Sequence, residues 1–199
     1  MHFCDDLPPA LRHDPFKAIV APRPIGWIGT LSAEGVANLA PYSFFTALSS
    51  RPRLVGFSSE GAKHSAVNAR ERGEFTVSFV SARLFAAMNA SSAAVGPEVS
   101  EFDLAALARG RSVEVAPPFV AESPAALECV TVSVTRLRDR DGAELDSHLV
   151  VGQVVRIHLR DEFVAEGRFD TARADPVARA GYRDYVSAGR FWEADRPER

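Results

Sequence analysis

Apolar and polar side chains alternate along most of this chain in the pattern that is typical of β-strands. The pattern predicts strands at residues 25–31, 36–39, 44–48, 54–58, 74–80, 130–135 and 149–159. The last two flank a turn at residues 139–142 (Asp-Arg-Asp-Gly), so we expect a hairpin or two neighbouring antiparallel strands. One apolar face of the final strand is formed by Leu149, Val151, Val155, Ile157 and Leu159.

Helical periodicity appears only in shorter inserts between these strands. Residues 63–72 are predicted to form a helix that stops at Gly73, because glycine suits the left-handed cap. A second helix is predicted at residues 82–89, and a long, partly helical excursion at residues 93–118. The core side chains expected from these two segments are Leu84, Phe85, Met88, Phe102, Leu104 and Leu107.

The order of these elements favours one fold class. Strands dominate, and no strand–helix–strand rhythm repeats, which argues against a doubly wound parallel sheet. A closed or nearly closed antiparallel barrel would remove the exposed edges that so many apolar strands otherwise present. We therefore predict a mainly β fold, a β-barrel with inserted helices, as a single domain over residues 1–199.

The composition of the chain limits the binding partners and the cellular compartment that we expect for it. The formal net charge is -3, so neither nucleic acid nor an anionic membrane is the expected partner. The first residues carry acids and prolines instead of a basic start and an apolar run, so we expect no signal peptide and a cytoplasmic location. Cys4 and Cys129 follow no metal or redox spacing; a disulfide between them stays open, although a reducing compartment is the simpler interpretation.

Several common active-site motifs are missing from the sequence. There is no G-x-G-x-x-G fingerprint, no P-loop and no G-x-S-x-G elbow. The histidines have no metal-binding spacing, so we expect no metal site. These absences argue against a dinucleotide-binding Rossmann domain, a nucleotide triphosphatase, a serine hydrolase and a zinc enzyme.

One stretch offers the chemistry of a phosphate site. Ser58 and Ser59 end a predicted strand, and Lys63 and Ser65 lie at the start of the helix that follows. Hydroxyls, a cation and free backbone N–H groups at a helix N-terminus are what a phosphate dianion requires. The ordinary alternatives are serines that simply end a strand and a solvated lysine, although a lysine beside a helix N-terminus is unfavourable without an anion.

A second stretch suits a flat heteroaromatic ring. The turn Pro41-Tyr42-Ser43 lies between two predicted strands and can direct backbone groups at such a ring. Trp27 and Tyr42 could pack near it, and Asn38 could bond its polar substituents. Trp27 has an equally good alternative role in the core or at a dimer interface.

Together these segments resemble the flavin reductase-like, FMN-binding split-barrel family, and its flavoredoxin-like branch in particular. The matching motifs occur in the family's order over roughly residues 15–160, and their ordered set is specific although no single one is. They are Arg-Pro-Ile-Gly-Trp-Ile-Gly-Thr (23–30), Asn-Leu-Ala-Pro-Tyr-Ser-Phe-Phe (38–45), Phe-Ser-Ser (57–59), Gly-Glu-Phe-Thr-Val-Ser (73–78), Met-Asn-Ala-Ser-Ser (88–92), Ala-Leu-Glu-Cys (126–129) and Ser-His-Leu-Val-Val-Gly-Gln-Val (147–154).

The resemblance implies one FMN per subunit, bound near the interface of a homodimer. It places the turn Ala40, Pro41, Tyr42 and Ser43 against the flavin ring, with Ser58, Ser59, Lys63 and Ser65 at the phosphate. Asn38 and Asn89 become candidate polar contacts, Trp27 a ring neighbour, and His148 the candidate for proton transfer or nicotinamide positioning. The family often has Lys-Asp-Thr where this chain has Lys63-His64-Ser65; serine keeps the hydroxyl, and His64 makes the surroundings of an anion more positive.

The function that the resemblance implies is a flavin reductase that takes hydride from NADH or NADPH, with a monooxygenase or another redox protein as a possible partner. Two alternatives use the same pocket: a non-catalytic FMN-binding electron carrier, and a flavin-dependent reductase of another small substrate. A barrel without any flavin is the remaining alternative. The sequence itself contains no nicotinamide-binding motif that separates them.

Overall fold

The computed structural model describes residue 3 and residues 6–187 and 189–197. Its main sheet has seven strands in the order β3-β2-β6-β9-β10-β5-β4, all paired antiparallel. A smaller sheet has the order β1-β13-β14, and two short ribbons pair β7 with β8 and β11 with β12. The strands are β1 Arg23–Pro24, β2 Gly26–Leu31, β3 Ala37–Tyr42, β4 Phe45–Ser50, β5 Arg53–Glu60, β6 Glu74–Ser78, β7 Arg109–Gly110, β8 Phe119–Val120, β9 Ala125–Arg138, β10 Glu144–Leu159, β11 Val164–Ala165, β12 Arg168–Phe169, β13 Val177–Arg179 and β14 Tyr185–Ser187.

The two ends of the main sheet are consecutive in the chain. Strands β3 and β4 are joined by Ser43 and Phe44 alone, yet they do not pair with each other. This short connection brings the sheet edges together and curls the sheet into a barrel that stays open between them. The mainly β barrel expected from the alternation of side chains is confirmed, and the opening in it is a local consequence of residues 43–44.

The helices fill the gaps between strands. They are α1 Phe16–Ile19, α2 His64–Arg72, α3 Phe85–Ala90, α4 Glu101–Leu104 and α5 Thr171–Ala174, with 3₁₀ turns at Ala82–Leu84 and Asp161–Phe163. Helix α2 ends at Gly73, whose φ of 73° is the left-handed conformation that a side chain would disfavour. The stop predicted from the sequence is therefore confirmed. None of the helices within the described residues is long and apolar enough to cross a bilayer.

Two hydrophobic clusters lie on the two sides of the barrel wall. The interior cluster joins the inward faces of six strands to helix α2, with Phe57, Phe75 and Val150 fully buried. The second cluster lies outside the wall, where the 82–107 segment covers Trp27, Leu39 and other side chains of β2 and β3. Because both faces of β2 and β6 are covered, their polar residues Thr30, Thr76 and Ser78 are also buried.

Some side chains expected in the core are exposed. Phe85 lies at the edge of its helix, where its ring packs against that of Tyr185, with 4.9 Å between centroids. Leu104 is exposed because α4 ends at that residue after a single turn, while Phe102 and Leu107 are buried as expected. Three residues of the predicted apolar face of β10, Val155, Ile157 and Leu159, are exposed, whereas Val150 is buried in the core.

Cys129 is a free, buried cysteine on β9. Its burial, together with the neighbouring Glu128 carboxylate, raises the pKa of the thiol. Cys4, the other half of the disulfide that the sequence left open, lies outside the described residues. The thiol of Cys129 is therefore a small core side chain.

Candidate functional site

A cavity of about 470 Å³ lies where the barrel is open. One wall is the end of β3 with Ser43 and Phe44, and the opposite wall is the end of β5 and the start of α2. The loop after α3 and the start of α4 close a third side. The site therefore exists because the two edge strands diverge here instead of pairing.

Nine of the residues expected to contact a cofactor line this cavity together. They come from three separate parts of the sequence, which the barrel brings to one opening. They are Asn38, Ala40, Pro41, Tyr42, Ser43, Ser58, Lys63, His64 and Ser65.

The start of helix α2 forms the cationic end of the cavity. Lys63 is the N-cap residue with an extended backbone, and it has no side-chain oxygen with which to cap the helix. Among the described residues, the backbone N–H groups of His64 and Ser65 donate to no acceptor, whereas those of Ala66 and Val67 both donate to the Lys63 carbonyl. Two free N–H groups and a lysine at a helix start provide an anion-binding site.

A layer of buried hydrogen bonds holds this end in place. Asn38 Nδ2 donates to Ser65 Oγ at 3.0 Å, which ties β3 to the first turn of α2. Asn68 Nδ2 donates to Thr30 Oγ1 at 3.0 Å on the next turn of the helix. Asn38 therefore contributes a fixed amide to the cavity wall, and also orients Ser65.

Trp27 lies behind the wall of the cavity. Its ring is fully buried, and its Nε1 donates to Ser91 Oγ at 2.8 Å, while Ser91 in turn donates to the Met88 carbonyl at 2.8 Å. Ser91 does line the cavity. Trp27 thus acts on the site by fixing the loop after α3, in keeping with the core alternative considered for it.

The three other expected residues are also outside the cavity wall. Ser59 is fully buried, and its hydroxyl donates to the Gly61 carbonyl at 3.0 Å. Asn89 is exposed on α3, where its carbonyl accepts the Ser92 hydroxyl at 2.6 Å. His148 faces Ser59 across the β5–β10 ladder, and its buried Nδ1 has no hydrogen-bond partner among the described residues.

Several residues that line the cavity were not among the predicted site residues. Lys17 comes from α1, far from every motif, with its Nζ 3.7 Å from Glu60 Oε1 and 5.5 Å from the centroid of the Phe44 ring. Only two of the 23 basic residues are lysines, Lys17 and Lys63, and both line the cavity. The scarcity of lysine is the one feature of the sequence that could have pointed to Lys17 as a residue of the site. Also unpredicted are Phe44, Glu60, Ala62, Glu101 and residues 91–95.

Two of the residues that line the cavity, Tyr42 and Glu101, are buried. Burial is the main cause that raises the pKa of Tyr42, and the Glu101 carboxylate adds to it, while the nearby hydroxyls of Ser65 and Ser59 act in the opposite direction. Glu101 is 4% exposed. Its Oε2 accepts the backbone N–H of Leu39 at 2.9 Å. The phenol of Tyr42 is therefore protonated at neutral pH, ready to act as a donor.

Fold and site together define a split-barrel protein with a cavity that is lined by the start of α2 with Lys63 and by the end of β3 with Ser43 and Phe44. The chain belongs to the flavin reductase-like family, since residues 20–173 match the family model described as Flavin reductase like domain. The family inferred from the motifs of the sequence is thus confirmed. This membership supports a flavin-related oxidoreductase.

Individual proteins agree with this assignment. An uncharacterized protein of Deinococcus radiodurans is 40% identical over 194 residues, which cover 89% of this chain and 80% of the relative. The crystal structure of nitrilotriacetate monooxygenase component B from Bacillus cereus superposes with a TM-score of 0.85 at 27% identity, over 98% of this chain and all of the other. Flavoredoxin of Desulfovibrio vulgaris has the same fold, with a TM-score of 0.77 at 21% identity over 87% and 90% of the two chains.

Proposed function

We propose that the chain is an FMN-binding flavin reductase that uses NADH or NADPH as its electron donor. The observation that carries this proposal is the composition of the cavity. A helix start with two free N–H groups and Lys63 lies at one end, and the backbone turn 40–43 with the Phe44 ring lies along one wall. A phosphate fits the first and a flat ring fits the second.

The residues present fit FMN in charge as well as in shape. The cavity is lined by Lys17, Lys63 and His64, so a phosphate dianion would relieve the unfavourable lysine at the N-terminus of α2. Bound FMN supplies the redox chemistry by taking up a hydride from the nicotinamide.

The chain's own residues position the cofactor in this proposal. Ser58, Lys63, His64 and Ser65 hold the phosphate, and the turn 40–43 presents backbone groups to the ring. Residues 40–42 form the end of β3 and pair with β2, so their backbone is already fixed before a ligand arrives. His148 stays a prediction for proton transfer, one strand away from the cavity beside Ser59.

The first test is a visible spectrum of the purified protein during titration with FMN, followed by anaerobic addition of NADH or NADPH. We expect flavin bands to shift on binding, and to bleach within seconds with the preferred nicotinamide. Bound flavin that stays oxidised with both donors, but is reduced by a protein partner, would indicate the electron carrier instead. Flavin that is bleached by the nicotinamide and regains its bands when an organic acceptor is added, with reduction of that acceptor, would favour a reductase of another small substrate.

We further propose an oxygenase partner. Component B of the nitrilotriacetate monooxygenase is by its name one part of a larger enzyme system. By similarity, flavin reduced on this chain would pass to an oxygenase component. Coupled oxidation of a substrate by the oxygenase should then require this chain, FMN and the nicotinamide together.

We also propose that the chain forms a homodimer through exposed apolar side chains of β9 and β10. Five apolar side chains of these two strands are between 41% and 59% exposed. They are Val130, Val132, Val155, Ile157 and Leu159. A second copy would cover such side chains.

A charge among these side chains should prevent dimer formation. We expect Ile157→Glu to elute with the mass of a single 21.6 kDa chain, measured by light scattering, because an unpaired carboxylate would be desolvated in the interface. The matched control is Val164→Glu, on the exposed β11 ribbon, which should leave the mass unchanged. A wild-type chain that is already monomeric at micromolar concentration contradicts the proposed dimer.

A further inference from the structure

A second cavity, of about 420 Å³, is lined by residues of both the small sheet and the main sheet. Its walls are β13 with Pro176, the end of β6, the start of β9, and Phe45 at the start of β4. Of the described residues that line it, Ser78 alone has a polar side chain, and its Oγ accepts the Val120 N–H at 2.9 Å. This second cavity therefore suits an apolar side chain, and it shares no lining residue with the cavity proposed for FMN.

The C-terminal tail, residues 189–197, carries two large apolar side chains in water. Trp192 is 78% exposed and Phe191 is 50% exposed. The guanidinium of Arg190 lies 5.8 Å from the centroid of the Trp192 ring. An aromatic side chain removes roughly 150–250 Å² from water when it is packed. The hydrophobic effect therefore favours contact between this aromatic pair and any apolar surface that the tail can reach.

The tail begins beside the second cavity. Ser187, the last residue of β14, pairs with Val177 of β13, and Val177 lines the cavity. Paired residues of antiparallel strands have Cα atoms about 5 Å apart. Trp192 follows Ser187 by five residues in the sequence. Because such a length of chain spans up to about 17 Å, the Trp192 ring can reach the cavity without any movement of the barrel.

An ion pair holds the other side of the aromatic pair near the same cavity. Glu193 Oε1 lies 3.2 Å from Arg168 Nη2 of β12. The next residue of β12, Phe169, packs its ring against that of Phe79, with 5.7 Å between the centroids. Phe79 lines the second cavity. The aromatic pair thus lies between two points of attachment that both adjoin this cavity.

We propose that the C-terminal tail folds onto the second cavity of its own chain and inserts the Trp192 ring into it. This docked arrangement exchanges with the exposed arrangement of the structure. The tail of the same chain is the occupant, because Glu193 is paired with Arg168 of that chain beside the cavity. Burial of the aromatic ring favours docking, and the ordering of a few tail residues opposes it.

The test measures the fluorescence of Trp192 in the full-length chain. The chain contains two tryptophans, and subtracting the spectrum of Trp192→Phe from that of the wild type removes the signal of the buried Trp27. We expect the Trp192 emission to be blue-shifted relative to free tryptophan, and to be quenched several times more weakly by acrylamide. Both effects should disappear in Ala178→Asp, because Ala178 lines the cavity and docking would remove the new carboxylate from water.

Two further variants keep the test specific. Ala178→Phe fills the cavity with an apolar ring instead of a charge, and it should release Trp192 as well. Ala143→Asp is the matched control, since it places the same charge on the exposed turn between β9 and β10 and should leave the Trp192 emission unchanged. Thermal melting shows whether each variant is folded.

Three outcomes overturn the proposal. In the first, Trp192 of the wild type emits and is quenched like free tryptophan. In the second, the blue shift persists in folded Ala178→Asp and Ala178→Phe, so that the ring is buried elsewhere. In the third, the blue shift disappears on dilution of the wild type, which assigns the ring to the cavity of a second copy.

Discussion

Replacing Glu128 by glutamine should lower the free energy of unfolding by about 3 kcal/mol, the size expected when one partner of a buried charged network is removed. Glu128 on β9 is fully buried and paired with His158 of β10. Its two oxygens also accept the backbone N–H groups of Val113, Glu114 and Val115. One carboxylate thus fastens the loop before β8 onto the barrel.

Glutamine has nearly the same volume but cannot replace these contacts. Its amide nitrogen would point a donor at backbone donors, so at least one buried N–H would lose its acceptor. The measurement is urea unfolding at pH 7, with every variant at one protein concentration because a dimer's stability depends on it. Glu144→Gln is the control, since Glu144 pairs with Arg136 and Arg138 on the exposed hairpin and should contribute less than about 1 kcal/mol.

The stabilisation by Glu128 should depend on pH in a definite direction. Burial by itself raises the pKa of Glu128, but the bonds from His158 and from the three backbone N–H groups together lower it below the ordinary value of 4.5. A group whose pKa is lower in the folded state stabilises the fold above its unfolded pKa and loses that effect as the pH falls through the folded value. The difference between wild type and Glu128→Gln should therefore shrink below pH 4.5. A difference that stays constant from pH 7 into that range would show that the charge is not what stabilises the loop.

Removing the cation and one hydroxyl from the start of α2 should weaken FMN binding by about a hundredfold, from two charge-assisted hydrogen bonds of about 1.5 kcal/mol each. The double variant is Lys63→Ala with Ser58→Ala; both residues line the cavity, Lys63 as the N-cap of α2 and Ser58 on β5. Riboflavin, which has no phosphate, should bind the double variant nearly as well as the wild type. The measurement is the Kd for each ligand at two salt concentrations, because salt partly screens the attraction between Lys63 and the phosphate.

Arg70→Ala provides the matched control for charge. Arg70 lies on the same helix in its last turn, where it is exposed and, within the part of the chain that the structure describes, pairs only with its neighbour Glu71. It should leave both affinities unchanged. If the double variant bound FMN as tightly as the wild type, the phosphate would have to bind elsewhere in the cavity, and Lys17 would become the candidate.

Much of the architecture could be predicted from local patterns. Strand β2 differs from its prediction by a single residue, and α2 with its stop at Gly73 is where periodicity and capping place it. These elements are set by side-chain alternation and by the conformational freedom of glycine, both of which act over a few residues. Strand ends were less predictable: β3 continues to Tyr42 because its ladder with β2 continues to that residue, through Pro41.

The burial of individual side chains was decided by neighbours distant in sequence. The apolar positions of β10 on both faces gave no indication of which face would turn inward. Val150 is buried in the interior cluster, whereas Ile157 is exposed. Leu104 was equally ambiguous, because an apolar residue at the end of a one-turn helix is buried only if another element covers it.

The sequence by itself determined the barrel, the family and most of one wall of the site, because the motifs 38–45 and 57–65 each carry their chemistry in consecutive residues. Only the tertiary structure decided the rest of the site. Lys17 and Glu101 enter the cavity from segments without a motif, and Trp27 lies behind Ser91, outside the cavity wall. The physical reason is that the function of a buried carboxylate or a helix start depends on the charges and hydrogen-bond donors that the fold places opposite it.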